Sequence, residues 1–315
     1  MKTSGPCGER VFYHYDDGRL IIEGTGPMWD YELEIPDPEL SSPFYDTPWA
    51  ILPVYNVLVR SGVTRIGNGA FYRSGDLNTV MLSDTLTEIG RYAFAKSALE
   101  HVWFPDSLQS IETHAFFGCG SLQHVLLPGN IRLGDNSFAQ TGMASLKFRG
   151  KLISAGDLAF WNNVGLYEVK LPPCGDLGYG LFDSCGMTSV DLSESGLEHL
   201  PDYMFCCCDR LRDVILPPRI RSLGKGSFMN TELTELELPE TVEDFCPDSV
   251  SGSERLKTIL FLGKRAPRCD NDAPFYQKDL KLAVLEDAEG FDVMPWSGQK
   301  IVRLTKTEAE RMKLL

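Results

Sequence analysis

The sequence predicts a β-rich repeat solenoid, a right-handed coil with one parallel β-ladder, short helical or irregular return segments, and a cap at each end. Three series of residues running in step carry that prediction. An aromatic series, Phe71, Phe94, Phe116, Phe138, Phe160, Phe182, Phe205 and Phe228, recurs at intervals of 23, 22, 22, 22, 22, 23 and 23 residues. Five residues before each Phe stands Ile66, Ile89, Ile111, Leu133, Ala155, Leu177, Leu200 or Leu223. Each unit opens on an L-x-x-V-x-L pattern, as over residues 99–104, 122–127, 166–171, 211–216 and 233–238.

Residues 1–53 read as the first cap. Residues 10–15 and 19–23 alternate around Asp17-Gly18, a pattern that predicts a β-hairpin. Residues 27–49 then mix Pro27, Pro36, Pro38, Pro43 and Pro48 with Trp29, Tyr31, Phe44, Tyr45 and Trp49. Two readings stand for this stretch. Either its aromatics plug the open end of the coil and shield the first strand from edge-to-edge association, or it is a mobile binding loop.

Residues 54–262 carry about nine to ten units. The alternation of Val102 and Phe104 with His101 and Trp103 has the period of a strand with one buried face. Pro105, Pro128, Pro172, Pro217 and Pro239 end their strands by withholding an amide donor. Gly67, Gly90, Gly134, Gly156, Gly178 and Gly224 suit a corner that needs either positive φ or close backbone approach. One unit recovers on the order of 10 kcal/mol of gross burial from its inward side chains, while its backbone costs roughly 1–2 kcal/mol per residue to order. A unit alone is therefore unstable, and stacked neighbours must supply the balance. In residues 263–315, a second cap, residues 281–285 and 300–304 read as strands. Thr305-Lys306-Thr307-Glu308 reads as a capping box opening a terminal helix.

The unit L-x-x-V-x-L-P-x-x-(L/V)-x-x-I-G-x-x-A-F-x-x-C, nearly complete over residues 99–119, resembles the leucine-rich repeats of the BspA type, common in surface and secreted proteins of gut and oral bacteria. Cys7-Gly8, Asp16-Asp17-Gly18, Gly24-Thr25-Gly26 and Pro48-Trp49 are similar to the module that precedes such repeats. Gly290-Phe291-Asp292 and Pro295-Trp296 resemble their closing segment. The resemblance implies a leucine-rich-repeat-like scaffold for adhesion and protein recognition, with no catalytic residues to carry over. The chain departs from the pattern where Val250 takes the place of the repeat Phe, where Ala155 replaces a large aliphatic, and in giving Asn no fixed ladder position.

With 43% hydrophobic residues in 315, the chain can bury a substantial core, and its periodicity argues for one elongated domain. A net charge of −14 repels phosphate backbones and anionic lipid heads, which disfavours nucleic acid and bare membrane as partners. Residues 147–151 and 257–268 are locally basic and read as solvated faces. Residues 1–10 lack the apolar core of an export signal, and no run of about 18 apolar residues marks a membrane span. The location expected from the sequence as it stands is cytoplasmic. The resemblance implies secretion or the cell surface if the chain is a trimmed mature form.

No phosphate loop, HExxH or G-x-S-x-G is present, and Gly67-Asn68-Gly69 lacks the third glycine of a dinucleotide fingerprint. Glu235 and Glu237 read as a solvated strand face. Among nine cysteines, Cys119, Cys185 and Cys208 each follow a repeat Phe by three residues and read as small apolar corner residues. Adjacent side chains in Cys206-Cys207-Cys208 are not expected to converge on a metal. His101 and His124 fall at equivalent outward sites on adjacent rungs, within about 5 Å, too few ligands for a metal site. No metal and no cofactor is expected.

The outward strand column reads Leu58, Met81, Trp103, Leu126, Lys147, Lys170, Asp191, Ile215, Glu237 and Leu260. Beside it runs a polar column: Asn56, Thr79, His101, His124, Ser145, Glu168, Ser189, Asp213, Glu235 and Thr258. The apolar start of the first column is either covered by residues 27–49 or left open as an interaction site. If open, Leu58, Met81, His101, Trp103, His124 and Leu126 contact a protein or peptide partner, with Trp103 as anchor. A second possibility is glycan binding through Trp103 and Trp161. An enzyme is not expected, because no nucleophile, base and oxyanion donor can be assembled from the sequence.

Overall fold

An antiparallel hairpin, Val11–Asp16 with Arg19–Gly24, opens the fold, turned by Asp17 and Gly18 at positive φ of 40° and 82°. The computed structural model describes residues 3–31, 47–269, 275–277 and 279–312. Pro36, Pro38, Pro43, Phe44 and Tyr45 lie outside the described residues. The chain divides into two compact units, residues 1–163 and 164–315.

In the first unit the hairpin supplies the opening strand of a parallel ladder. Arg19–Gly24 pairs with Asn56–Val59, which pairs with Thr79–Met81 and then His101–Trp103. His124–Leu127 and Ser145–Phe148 form a separate parallel pair. The return arm adds a second parallel sheet through Gly26–Pro27, Val63–Ile66, Glu88–Ile89, Ser110–Ile111, Ile131–Leu133 and Leu152–Ala155. A rung thus completes backbone hydrogen bonds on both its arms, which is how a two-residue strand such as Ser110–Ile111 persists.

Between the arms runs the Phe series. Phe71, Phe94, Phe116 and Phe138 stack with centroids 5.2, 5.1 and 4.9 Å apart, and Phe160 continues at 5.9 Å. All are buried, each contributing roughly 1.5–3 kcal/mol by leaving water. Residues two before and two after each Phe adopt left-handed φ, as at Tyr92 and Lys96 around Phe94 or Asn136 and Gln140 around Phe138. The Phe and these two flanking residues direct their N–H groups along the stack: Gly69, Phe71 and Arg73 donate to Arg91, Ala93 and Ala95 at 2.9, 2.7 and 2.8 Å.

The corner glycines are explained by close approach and not by φ. Gly67, Gly90, Gly134, Gly156 and Gly224 are absent from the positive-φ residues. A Cβ on Gly90 would lie 2.9 Å from the backbone nitrogen of Asn68 and 2.9 Å from the Ile66 oxygen, which forbids any side chain.

The position three after each Phe also differs from its reading as a plain apolar corner. Cys119 and Cys208 are buried, and each directs its S–H at the carbonyl of the preceding rung's Phe, Cys119 to Phe94 at 3.0 Å and Cys208 to Phe182 at 3.2 Å. Asn163 donates to Phe138 and Ser253 to Phe228, and Gln277, outside the regular spacing, donates likewise to Val250, which stands in the Phe position. A column of interchangeable side-chain donors thus bonds this buried carbonyl from the next rung, in addition to the backbone N–H three residues on that already reaches it at Phe94, Phe182 and Val250.

In the second unit Glu168–Lys170, Ser189–Asp191 and Asp213–Ile215 pair in parallel. Glu235–Leu238, Thr258–Phe261, Lys281–Leu285 and Lys300–Leu304 form a parallel sheet of four. Phe182, Phe205 and Phe228 stack at 5.9 and 5.6 Å. On both sides of Val250 in sequence, Phe245, Phe261 and Phe291 surround Trp296 at 6.1, 5.5 and 5.7 Å, so an aromatic cluster replaces the regular stack. Helix Lys306–Met312 opens on the Thr305–Glu308 capping box, the Glu308 carboxylate accepting from the Thr305 N–H and hydroxyl at 2.8 Å each.

Candidate functional site

Period-two alternation puts every second strand residue outward, and register decides which of them become neighbours. Ile21 pairs with Leu58, Leu58 with Met81, and Met81 with Trp103, so these four form one row across the sheet. Ile21 was not among the sequence candidates, because the hairpin lies outside the repeat and its register with the first rung is set only by folding. Met81 and Trp103 are 55% and 59% exposed, and Leu58 is half-buried.

Between Trp103 and Leu126 the ladder stops. His101–Trp103 ends one sheet, and His124–Leu127 begins the next. Phe104 packs edge-on against Phe116 at 5.6 Å and also reaches Phe138 in the following rung, at 6.2 Å. Its carbonyl accepts from the Arg149 guanidinium at 3.3 Å, and the same Nη1 meets Asp106 at 2.6 Å. Phe104 and this clamp occupy the strand end where the two rungs part.

The outward side of this break is a groove of about 330 Å³, lined by His101, Val102, Trp103, His124, Val125, Leu126, Ser145 and Lys147. Leu126 is 43% exposed on its far wall. The structure therefore brings Trp103, His101, His124 and Leu126 around one groove, with Met81 and Leu58 continuing away from it. The expectation that His101 and His124 stand as ladder neighbours is corrected: the strands that carry them are not paired. His101 lies instead against Trp103, ring centroids 6.0 Å apart, and near Glu100 at 4.0 Å.

The described parts of residues 27–49 pack elsewhere. Met28 and Tyr31 donate backbone N–H groups to Arg65 and Asn68 on the return arm, and Trp49 is buried against Phe71. At the far end of the column the expectation changes: Leu260 is only 5% exposed, packed with Ala283 and Ala309 beneath the terminal helix. Trp161 sits in the turn beside Phe160, off the strand row that carries Trp103.

The strongly shifted thiols lie away from this face. Burial pushes Cys7 and Cys206 up to about 12 and Cys119 up to about 11, so these groups are held as neutral thiols. Among the described residues no helix is long and apolar enough to cross a membrane.

The family model described as BspA type leucine-rich repeat region matches residues 52–167 and 132–257. A leucine-rich repeat protein from Bacteroides ovatus is similar in structure, with a TM-score of 0.58 and 20% identity, over 94% of this chain and 82% of its own. Another, from Eubacterium ventriosum, gives 0.53 and 18% identity over 96% and 84%. No curated protein matches this chain.

Proposed function

The chain belongs to the BspA-type leucine-rich repeat family, and from that premise we propose that it is a non-enzymatic recognition module whose outward strand face in the first unit binds a protein or peptide. The row Ile21, Leu58, Met81 and Trp103, facing Leu126 across a groove, is the observation that carries this reading. Outward apolar side chains in register form a continuous surface, and a polar margin of Asn56, Thr79, His101 and His124 frames it. Leu260 supplies the contrast. At that end of the column the chain covers its own apolar residue with a helix, whereas Met81 and Trp103 keep more than half their surface in water.

Binding follows from the geometry. A partner's apolar side chain enters the groove, Trp103 packs along it, and His101, His124 and Lys147 offer hydrogen bonds at the rim. Carboxylates outnumber basic residues 44 to 30 overall, so a basic or neutral partner approaches with less repulsion than an acidic one. The role assigned is binding alone, on a scaffold fold.

Selection of ligands from a displayed peptide library against the full chain tests this. Selected peptides should lose at least tenfold in affinity, about 1.4 kcal/mol, against Trp103→Ala and Leu126→Ala while Ile215→Ala binds as wild type. Peptides that bind Trp103→Ala as well as wild type would overturn the assignment.

A further inference from the structure

Three consecutive cysteines follow Phe205. Cys208 turns inward to the Phe182 carbonyl. Cys206 and Cys207 turn the other way, and their Sγ atoms approach to 3.4 Å. Asp183, which follows Phe182 as Cys206 follows Phe205, completes a triangle whose three ligand atoms all lie within 4.8 Å of one another.

Neighbouring side chains on extended backbone diverge, which is why the sequence argued against convergence here. The backbone is not extended. Cys207 has φ 55°, in the left-handed region, as do its equivalents Ser184 at 58° and Asn230 at 56°. The repeat imposes this conformation two residues after each Phe whatever residue stands there, and at this rung it swings two adjacent thiols to the same side.

We propose that Asp183, Cys206 and Cys207 form a binding site for a thiophilic d10 dication of the zinc and cadmium class, with solvent as fourth ligand. Two sulfurs and one carboxylate suit a soft or borderline ion and not magnesium or calcium. An ion about 2.3 Å from both sulfurs would see them at roughly 95°, so a small rotamer adjustment reaches the tetrahedral angle. Both kinds of ligand are already oriented. The Ser184 hydroxyl donates to Asp183 Oδ1 at 2.7 Å, and Asn230 Nδ2 donates to Cys207 Sγ at 3.6 Å. Cys206 is buried and Cys207 exposed, so an ion enters from the Cys207 side and keeps one face in water. As each sulfur–metal bond forms, its thiol proton passes to solvent, two protons for one dication.

The test uses the reduced full chain, titrated with Cd²⁺ and read by thiolate-to-cadmium charge-transfer absorption, then with Zn²⁺ in competition with a chromophoric chelator. Wild type should bind one equivalent of either ion. Cys207→Ser should abolish that equivalent or weaken it at least tenfold with an unchanged melting temperature. Asn230→Leu, which removes the N–H donor to sulfur, should weaken it about 10–100-fold, and Cys246→Ser, a half-buried thiol elsewhere in the same unit, should leave it intact. Wild-type affinity in Cys207→Ser, loss of binding in Cys246→Ser, or no binding by wild type would overturn the site.

Discussion

The indole N–H of Trp49 donates to the carbonyl oxygen of Ala70 at 3.0 Å. In the rungs that follow, the carbonyl just before the repeat Phe accepts from the previous rung's Phe: Phe71 donates to Ala93 at 2.7 Å, Phe94 to Ala115 at 2.8 Å, and Phe116 to Ser137 at 2.8 Å. Ala70 belongs to the first rung, and no earlier Phe is available to it. Trp49 supplies the missing donor and the missing ring together, stacking on Phe71 at 5.5 Å with planes 23° apart. One side chain thus stands in for both the backbone and the aromatic of a preceding rung.

Separating those roles gives the first prediction. Trp49→Phe keeps a ring over Phe71 but leaves the buried Ala70 carbonyl unpaired, at a cost of about 1–3 kcal/mol. Trp49→Ala loses the ring as well and should cost about 3–5 kcal/mol. Chemical denaturation of the two variants should rank them in that order, and equal losses would mean that the hydrogen bond contributes nothing.

The Phe series was legible in the sequence because a buried position repeated in every rung tolerates little variation in size or polarity. What escaped depended on contacts between segments that follow no period. The pairing of Ile21 with Leu58 joins the hairpin to the first rung, and the terminal helix covers Leu260 from about fifty residues away in sequence. The groove was invisible for a related reason. It lies where the ladder stops between Trp103 and Leu126, beside the packing of Phe104 on Phe116 and Phe138 and the Arg149 clamp, none of which the L-x-x-V-x-L pattern encodes. The convergence of Cys206 and Cys207 was missed because the pattern of residue types does not report φ.

The donor column after each Phe makes a second prediction. Asn163 Nδ2 donates to the carbonyls of Phe138 at 3.0 Å and Phe160 at 2.7 Å, and its Oδ1 accepts from Thr141 at 2.5 Å. Asn163→Leu fits the volume but strands the buried Phe138 carbonyl, at about 1–3 kcal/mol. Asn163→Ser, which restores one hydroxyl donor of the kind Ser253 uses toward Phe228, should recover part of the loss in urea denaturation. If Leu proves as stable as Asn, the column serves packing alone.

Acid should weaken the junction between the first cap and the return arm. Burial tends to raise the Asp30 carboxyl, but the Asn68 N–H and the Arg65 guanidinium outweigh it and hold the group below its usual value. A carboxylate whose folded pKa is depressed stabilises fully above its unfolded value, about pH 4, and that contribution fades as pH falls through the lowered folded value. Asp30→Asn should therefore be less stable than wild type at neutral pH by at most about 1 kcal/mol, since the Asp30 carboxylate is half exposed and screened by water. The gap should close on acidification. Stability curves for the two proteins that stay parallel from neutral pH to about pH 2 would contradict this.

The last prediction concerns Trp103, whose exposure separates recognition from packing. A side chain 59% in water, truncated to Ala, should move the unfolding free energy by no more than about 0.5 kcal/mol. The same change should remove the anchor of the groove and cost a bound peptide about 2 kcal/mol or more. A large fall in stability with binding intact would place Trp103 in the core. Glycan binding lost in both Trp103→Ala and Trp161→Ala would favour a sugar surface, although Trp161 lies in a return-arm turn and not on the strand row. Loss in Trp103→Ala alone, with peptide as ligand and the melting temperature unmoved, is the outcome that the row from Ile21 to Trp103 requires.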